Sequence, residues 1–129
     1  MRTMMILTVL FATLLLLTGT TFARNCYCYK TLATNLDNPA DSETIHPYPV
    51  LCFNDDNTGD IFTSFGMGHM SLFFDSLLKQ ALGYEDGCVG YFKFHGSELD
   101  VLTGIGYCDG DRWMLWGHRI DRNDPNCFD

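Results

Sequence analysis

The chain has 129 residues, a formal net charge of −8 and six cysteines, the dimensions of one small domain rather than two. Sixteen Asp and Glu against eight Lys and Arg exclude nucleic-acid binding through the phosphate backbone and the action of a cationic lytic peptide, because both need basic patches.

The N-terminus has Arg2, then an apolar run from Met4 to Leu17, a polar exit from Thr18 to Thr21, and Thr21-Phe22-Ala23 as a small-residue cleavage site. This is the layout of a secretory signal peptide. The run is too short for the roughly 20 residues of a spanning helix. Residues 1–23 are therefore expected to be the signal peptide and 24–129 a single disulfide-stabilised secreted domain. Cleavage after Ala23 leaves 106 residues with seven basic and sixteen acidic side chains. No further apolar run of spanning length occurs, so no stable membrane anchor is expected.

Asn25 to Thr31 is short and aromatic-rich and reads as a first strand. Asn35 to His46 is acidic and turn-prone, an exposed loop, and His46-Pro47-Tyr48-Pro49 holds the chain extended. Val50 to Phe53 reads as a second strand, closed by the polar run Asn54 to Gly59. Met70, Phe73, Phe74, Leu77, Leu78, Ala81 and Leu82 fall at helical spacing, with Ser71, Asp75 and Lys79 opposite. The spacing predicts a helix from His69 to Leu82, stopped by Gly83. Beyond it, Cys88 to His95, Leu99 to Tyr107 and Arg112 to His118 read as aromatic-rich strands. Asp109-Gly110 between the last two predicts a tight hairpin. The fold expected is α+β, one main helix packed on a small antiparallel sheet and stapled by three disulfides.

Cys26, Cys28, Cys52, Cys88, Cys108 and Cys127, in a chain bound for an oxidising compartment, predict three disulfides and no catalytic thiol. Cys26 and Cys28 are taken to face opposite sides of a strand, and so to have different partners. No metal site and no cofactor are expected: the histidines are scattered, and Asp55 to Asp60 lacks the closing Glu of a full calcium loop.

One set of residues has the types needed for metal-free hydrolysis of the ribonuclease kind. His95, Glu98 and His118, with Arg112, offer a base, an acid and a phosphate-binding cation. A second set is aromatic: Trp113, Trp116, Tyr91 and Tyr107 on a sheet would form a platform for a sugar or a partner's side chain. Trp113 and Trp116 have opposite strand parity, which sets at least one of them toward solvent.

The signal peptide, the hundred-odd mature residues, the early Cys26-Tyr27-Cys28, the six cysteines and the single main helix among aromatic strands resemble the small secreted cysteine-rich proteins of fungi, effector-like or killer-toxin-like. The resemblance is one of layout, without a diagnostic motif. It implies a secreted, non-enzymatic protein that binds an extracellular or host protein or glycan, with virulence or toxin activity as the outcome. The alternatives are the small secreted hydrolase and an extracellular carbohydrate-binding module.

Overall fold

The computed structural model describes residues 24–64, 66–74, 79–85 and 87–129; the expected signal peptide, residues 1–23, lies outside them. Nine strands follow one another: β1 (Asn25–Asn35), β2 (Ser42–Thr44), β3 (Val50–Phe53), β4 (Thr58–Thr63), β5 (Gly66–Phe74), β6 (Lys79–Glu85), β7 (Cys88–His95), β8 (Val101–Cys108) and β9 (Asp111–Ile120). From β3 to β9 each strand pairs antiparallel with the next. β1 pairs with β3 through its first residues and with β9 along Cys28 to Asn35. That last pairing closes eight strands into a barrel, leaving β2 as a short flap beside the end of β1. Closure satisfies backbone groups that an open sheet would leave on its edges.

The α+β expectation is overturned: the described residues contain no helix. Within the span expected as a helix, residues 69–74 belong to β5 and 79–82 to β6, paired Met70 to Gly83 and Leu72 to Ala81; residues 75–78 lie outside the described residues. Met70 and Leu72 point inward with period two and are buried. Phe73 and Leu82, assigned to the helix's buried stripe, are 56% and 43% exposed. Over so short a window, Met70 and Phe74 satisfy helical and strand spacing alike. β4 on one side and β7 on the other supply the partners that decide for strand. Gly83 is an interior strand position rather than a helix stop.

The other expected strands are present with shifted ends: β1 runs on past Thr31 to Asn35 and β8 starts at Val101, with Leu99 in the turn before it, while β4 (Thr58–Thr63) takes up the end of the expected polar run and is a strand the sequence reading lacks. β3 is Val50–Phe53 as read, and β8 and β9 meet through Asp109 (φ 51°) and Gly110 (φ 88°), the positive dihedrals that a tight Asp-Gly hairpin turn requires. The Asn35 to His46 segment is mostly loop but contains β2. The run from Asn54 to Thr58 is a turn in which Asp56 accepts hydrogen bonds from the Thr58 amide and hydroxyl.

Three disulfides are present: Cys26–Cys52, Cys28–Cys127 and Cys88–Cys108. Cys26 and Cys28 do have different partners. The expectation that they face opposite sides is wrong, because residues two apart on a strand share a face. Both contribute to a small outer core in which Cys28, Tyr48, Val50, Cys52 and Cys127 pack together with Phe128. The C-terminal tail thus covers the outer face of β1, β3 and β4, with the Phe128 ring stacked on Phe62.

The main core fills one end of the barrel with Tyr29, Phe53, Met70, Leu72, Phe94 and Leu102. Side chains of this size contribute on the order of 1.5 to 3 kcal/mol each when fully buried. The β7–β8 turn closes that end. Leu99 in the turn is buried with φ 57°, and its carbonyl accepts a 2.8 Å hydrogen bond from the Tyr29 hydroxyl. Arg119 lies 4.2 Å from the Tyr27 ring centroid and donates to the Glu98 carbonyl.

Candidate functional site

Side-chain size changes abruptly along the barrel axis. Register aligns the inward positions of β6, β7, β8 and β9 into rows. Ala81, Phe92, Gly104 and Leu115 form one row. The next toward the open end is Gly83, Gly90, Gly106 and Trp113, and the outermost is Glu85, Cys88, Cys108 and Asp111. Glycine within a strand weakens it unless something must come close to the backbone there. At Gly83, Gly90 and Gly104 that something is the Phe92 ring, which a Cβ would meet at 2.6, 2.7 and 2.8 Å. Phe92 therefore lies flat as a floor. Gly106 differs: its nearest neighbour would be the Val89 carbonyl oxygen at 3.6 Å, and the space before it is open.

Above the floor is a cavity of about 640 Å³, walled by Leu51, Ile61, Leu102, Leu115 and Trp113 together with the glycine row. Eight-stranded barrels are either filled by side chains or wide enough for one small ligand; this one is filled at one end and hollow at the other. Small-molecule sites commonly occupy about 300 to 1,000 Å³ and are mainly apolar.

The mouth is acidic. Glu43, Glu85, Asp109 and Asp111 line it, and none of the described lining residues is basic. Asp111 accepts a 3.0 Å hydrogen bond from Asn35 Nδ2, and the Asn35 side-chain oxygen in turn accepts from the backbone amides of Asp37 and Asn38. Glu85 Oε1 is buried with no hydrogen-bond partner. Burial pushes the Glu85 carboxyl above its ordinary value, and a hydrogen bond from Thr63 partly offsets this. Arg112, beside Asp111 in sequence, has the outward parity of its strand and binds Asp37 at 2.8 Å. That contact holds the Asp37 carboxyl below its usual range through the hydrogen bonds from the Arg112 side chain and backbone.

The candidate hydrolytic residues are not assembled into one site. His95 and His118 lie on the outer face with Val101 of β8 between them in register. His95 Nε2 pairs with Thr103 Oγ1 at 2.9 Å, and His118 Nδ1 is buried without a partner. Glu98 sits in the β7–β8 turn. Arg112 is six residues up β9 from His118, roughly 20 Å away at the strand rise, at the mouth end.

The aromatic set divides by parity. Trp113 faces the cavity, whereas Trp116, Tyr91 and Tyr107 are 40 to 52% exposed on the outer wall. There Leu82, Tyr91, Ile105 and Met114 form a cross-strand row, and the Tyr91 hydroxyl donates to Gln80 Oε1. Asp60, in the weighed calcium-loop segment, is bound by Arg24 at 3.3 Å and His69 at 3.0 Å. Among the described residues no cluster of three or more His, Cys, Asp or Glu is arranged for a metal ion.

Sequence reasoning missed Glu85 and the glycine row, and it placed Phe92 in an exposed aromatic platform rather than inside the barrel. A usable signal was present: Gly90, Gly104 and Gly106 stand at alternate inward positions of aromatic strands, a pattern of close backbone approach.

The fold and cavity define a class: a disulfide-stapled, closed antiparallel barrel hollow at one end. No protein-family model matches the chain, and neither a curated protein nor a solved structure does so. Three disulfides are typical of extracellular proteins.

Proposed function

We propose that this chain is a secreted, non-enzymatic binding protein that holds one small, mainly apolar molecule inside the barrel. The observation that carries the reading is the cavity of about 640 Å³ between the Phe92 floor and the acidic mouth. A core that were only structural would be filled at both ends, because protein interiors pack to near-crystalline density. The setting suggested by the sequence, export and action on a host or competitor, then takes a definite form: sequestration of a small molecule.

The test is titration of the oxidised protein, as the Trp116→Phe variant, with the neutral fluorescent probe N-phenyl-1-naphthylamine. With Trp113 as the sole tryptophan, the expected result is saturable 1:1 quenching with a Kd of about micromolar order. Absence of saturable binding, or binding that leaves Trp113 emission unchanged, would overturn the reading.

A further inference from the structure

We propose that the ligand class of this cavity is an organic cation: a protonated amine joined by a short chain to a flat apolar body, with the ammonium at the acidic mouth beside Glu85 and the body over the Phe92 floor, in the open space before Gly106. This rests on the cavity-binding reading above and narrows it.

Three observations converge. The mouth carries Glu43, Glu85, Asp109 and Asp111 with no basic residue among the described lining, so an anionic head group would meet repulsion and find no counter-charge. Asp111 is already engaged by Asn35, and Arg112, the nearest cation along the strand, is held outside by Asp37. Glu85 accepts a hydrogen bond from Thr63 and lines the cavity, so its carboxylate brings negative charge to the mouth. A neutral hydrocarbon would leave that charge without a counter-charge; an ammonium supplies one with a charge-assisted hydrogen bond.

The geometry sets the ligand's length and shape. Glu85 and Gly83 are two residues apart on β6, as are Asp111 and Trp113 on β9. The step from the acidic row to the glycine row is therefore about 7 Å, the span of an aryl group bearing an amine on a two- or three-carbon chain. The Phe92 ring covers Gly83 and Gly90, while the space before Gly106 is open, so the flat surface offered to a ligand is the Phe92 ring with Gly106 beside it, and Trp113 follows Gly106 in register. A planar body suits that slot.

The experiment compares naphthylethylamine, naphthylethanol and naphthylpropionate, which share one aromatic body, by calorimetric titration of the oxidised protein at neutral pH. The amine is expected to bind at least about tenfold more tightly than the alcohol, and the carboxylate more weakly than either. Glu85→Gln should remove most of the amine's advantage while leaving the alcohol's affinity within about twofold. Equal affinities of amine and alcohol in the parent protein, or an unchanged preference in Glu85→Gln, would overturn the cation assignment while cavity binding stands. Binding of none of the three would overturn cavity binding itself.

Discussion

Gly106→Leu tests whether the glycine row exists to keep the cavity open. A Cβ at Gly106 has only the Val89 carbonyl oxygen within reach, at 3.6 Å, an ordinary contact, whereas at Gly90 it would stand 2.7 Å from Phe92. Leucine at 106 therefore grows into empty space. Its four added carbons would contribute up to roughly 3 kcal/mol if fully desolvated, reduced by about 0.5 to 1 kcal/mol of lost rotamer freedom and by incomplete burial. Replacing glycine also lowers unfolded-chain entropy, worth about 0.4 to 1 kcal/mol where the backbone conformation is compatible. The net expectation is a stabilisation of about 1 to 2 kcal/mol. Gly90→Leu must displace the Phe92 floor and should cost about 1 to 3 kcal/mol. For a domain of this size each kcal/mol shifts Tm by roughly 4 to 8 °C, so thermal unfolding followed by circular dichroism, with disulfides intact, separates the two variants. Gly106→Leu should also weaken N-phenyl-1-naphthylamine binding by more than about tenfold. Equal destabilisation by both substitutions would mean that the glycines serve backbone packing alone. Undiminished probe binding in a stabilised Gly106→Leu would place the ligand elsewhere.

Two further outcomes follow from buried polar groups. Tyr29→Phe removes the donor to the Leu99 carbonyl and leaves that acceptor unpaired beneath the β7–β8 turn; the expected loss is about 1 to 3 kcal/mol in chemical denaturation, and a loss indistinguishable from zero would show that the bond does not hold the closed end. Glu85, as an acid whose folded-state pKa is raised by burial, favours the folded state while protonated. Its contribution is full below the unfolded-state value and is lost as pH rises through the folded-state value. Glu85→Gln should accordingly be more stable than the parent at neutral pH, with the difference shrinking toward acid; a parent protein more stable than Glu85→Gln at neutral pH would contradict that sign.

Some of this molecule is legible one segment at a time. The positions of the cysteines in a chain with an export-like N-terminus announce three disulfides, and Asp109-Gly110 announces its hairpin, because the positive φ values such a turn demands are open to these residues at little cost. Aromatic and β-branched runs mark β1, β3, β7, β8 and β9, and the opposite parity of Trp113 and Trp116 follows from the two-residue repeat of a strand. These features depend on a residue and its close neighbours.

Other features exist only through partners far away in the chain. The residues from His69 to Leu82 carry an apolar spacing that fits a helix as well as two strands, and β4 and β7 settle the matter by hydrogen-bonding to both sides of the β5–β6 pair. Which face of a strand becomes the inside is decided when β9 returns to β1 and pairs Trp113 with Asn35. Until that closure, Gly83, Gly90 and Gly106 are three unrelated glycines, and Glu85 is one acid among sixteen. Register across β6 to β9 makes the glycines one row, with the Phe92 ring lying on Gly83 and Gly90 and open space before Gly106, and sets Glu85 at its rim, because burial and neighbourhood are properties of the closed barrel rather than of any local stretch of sequence.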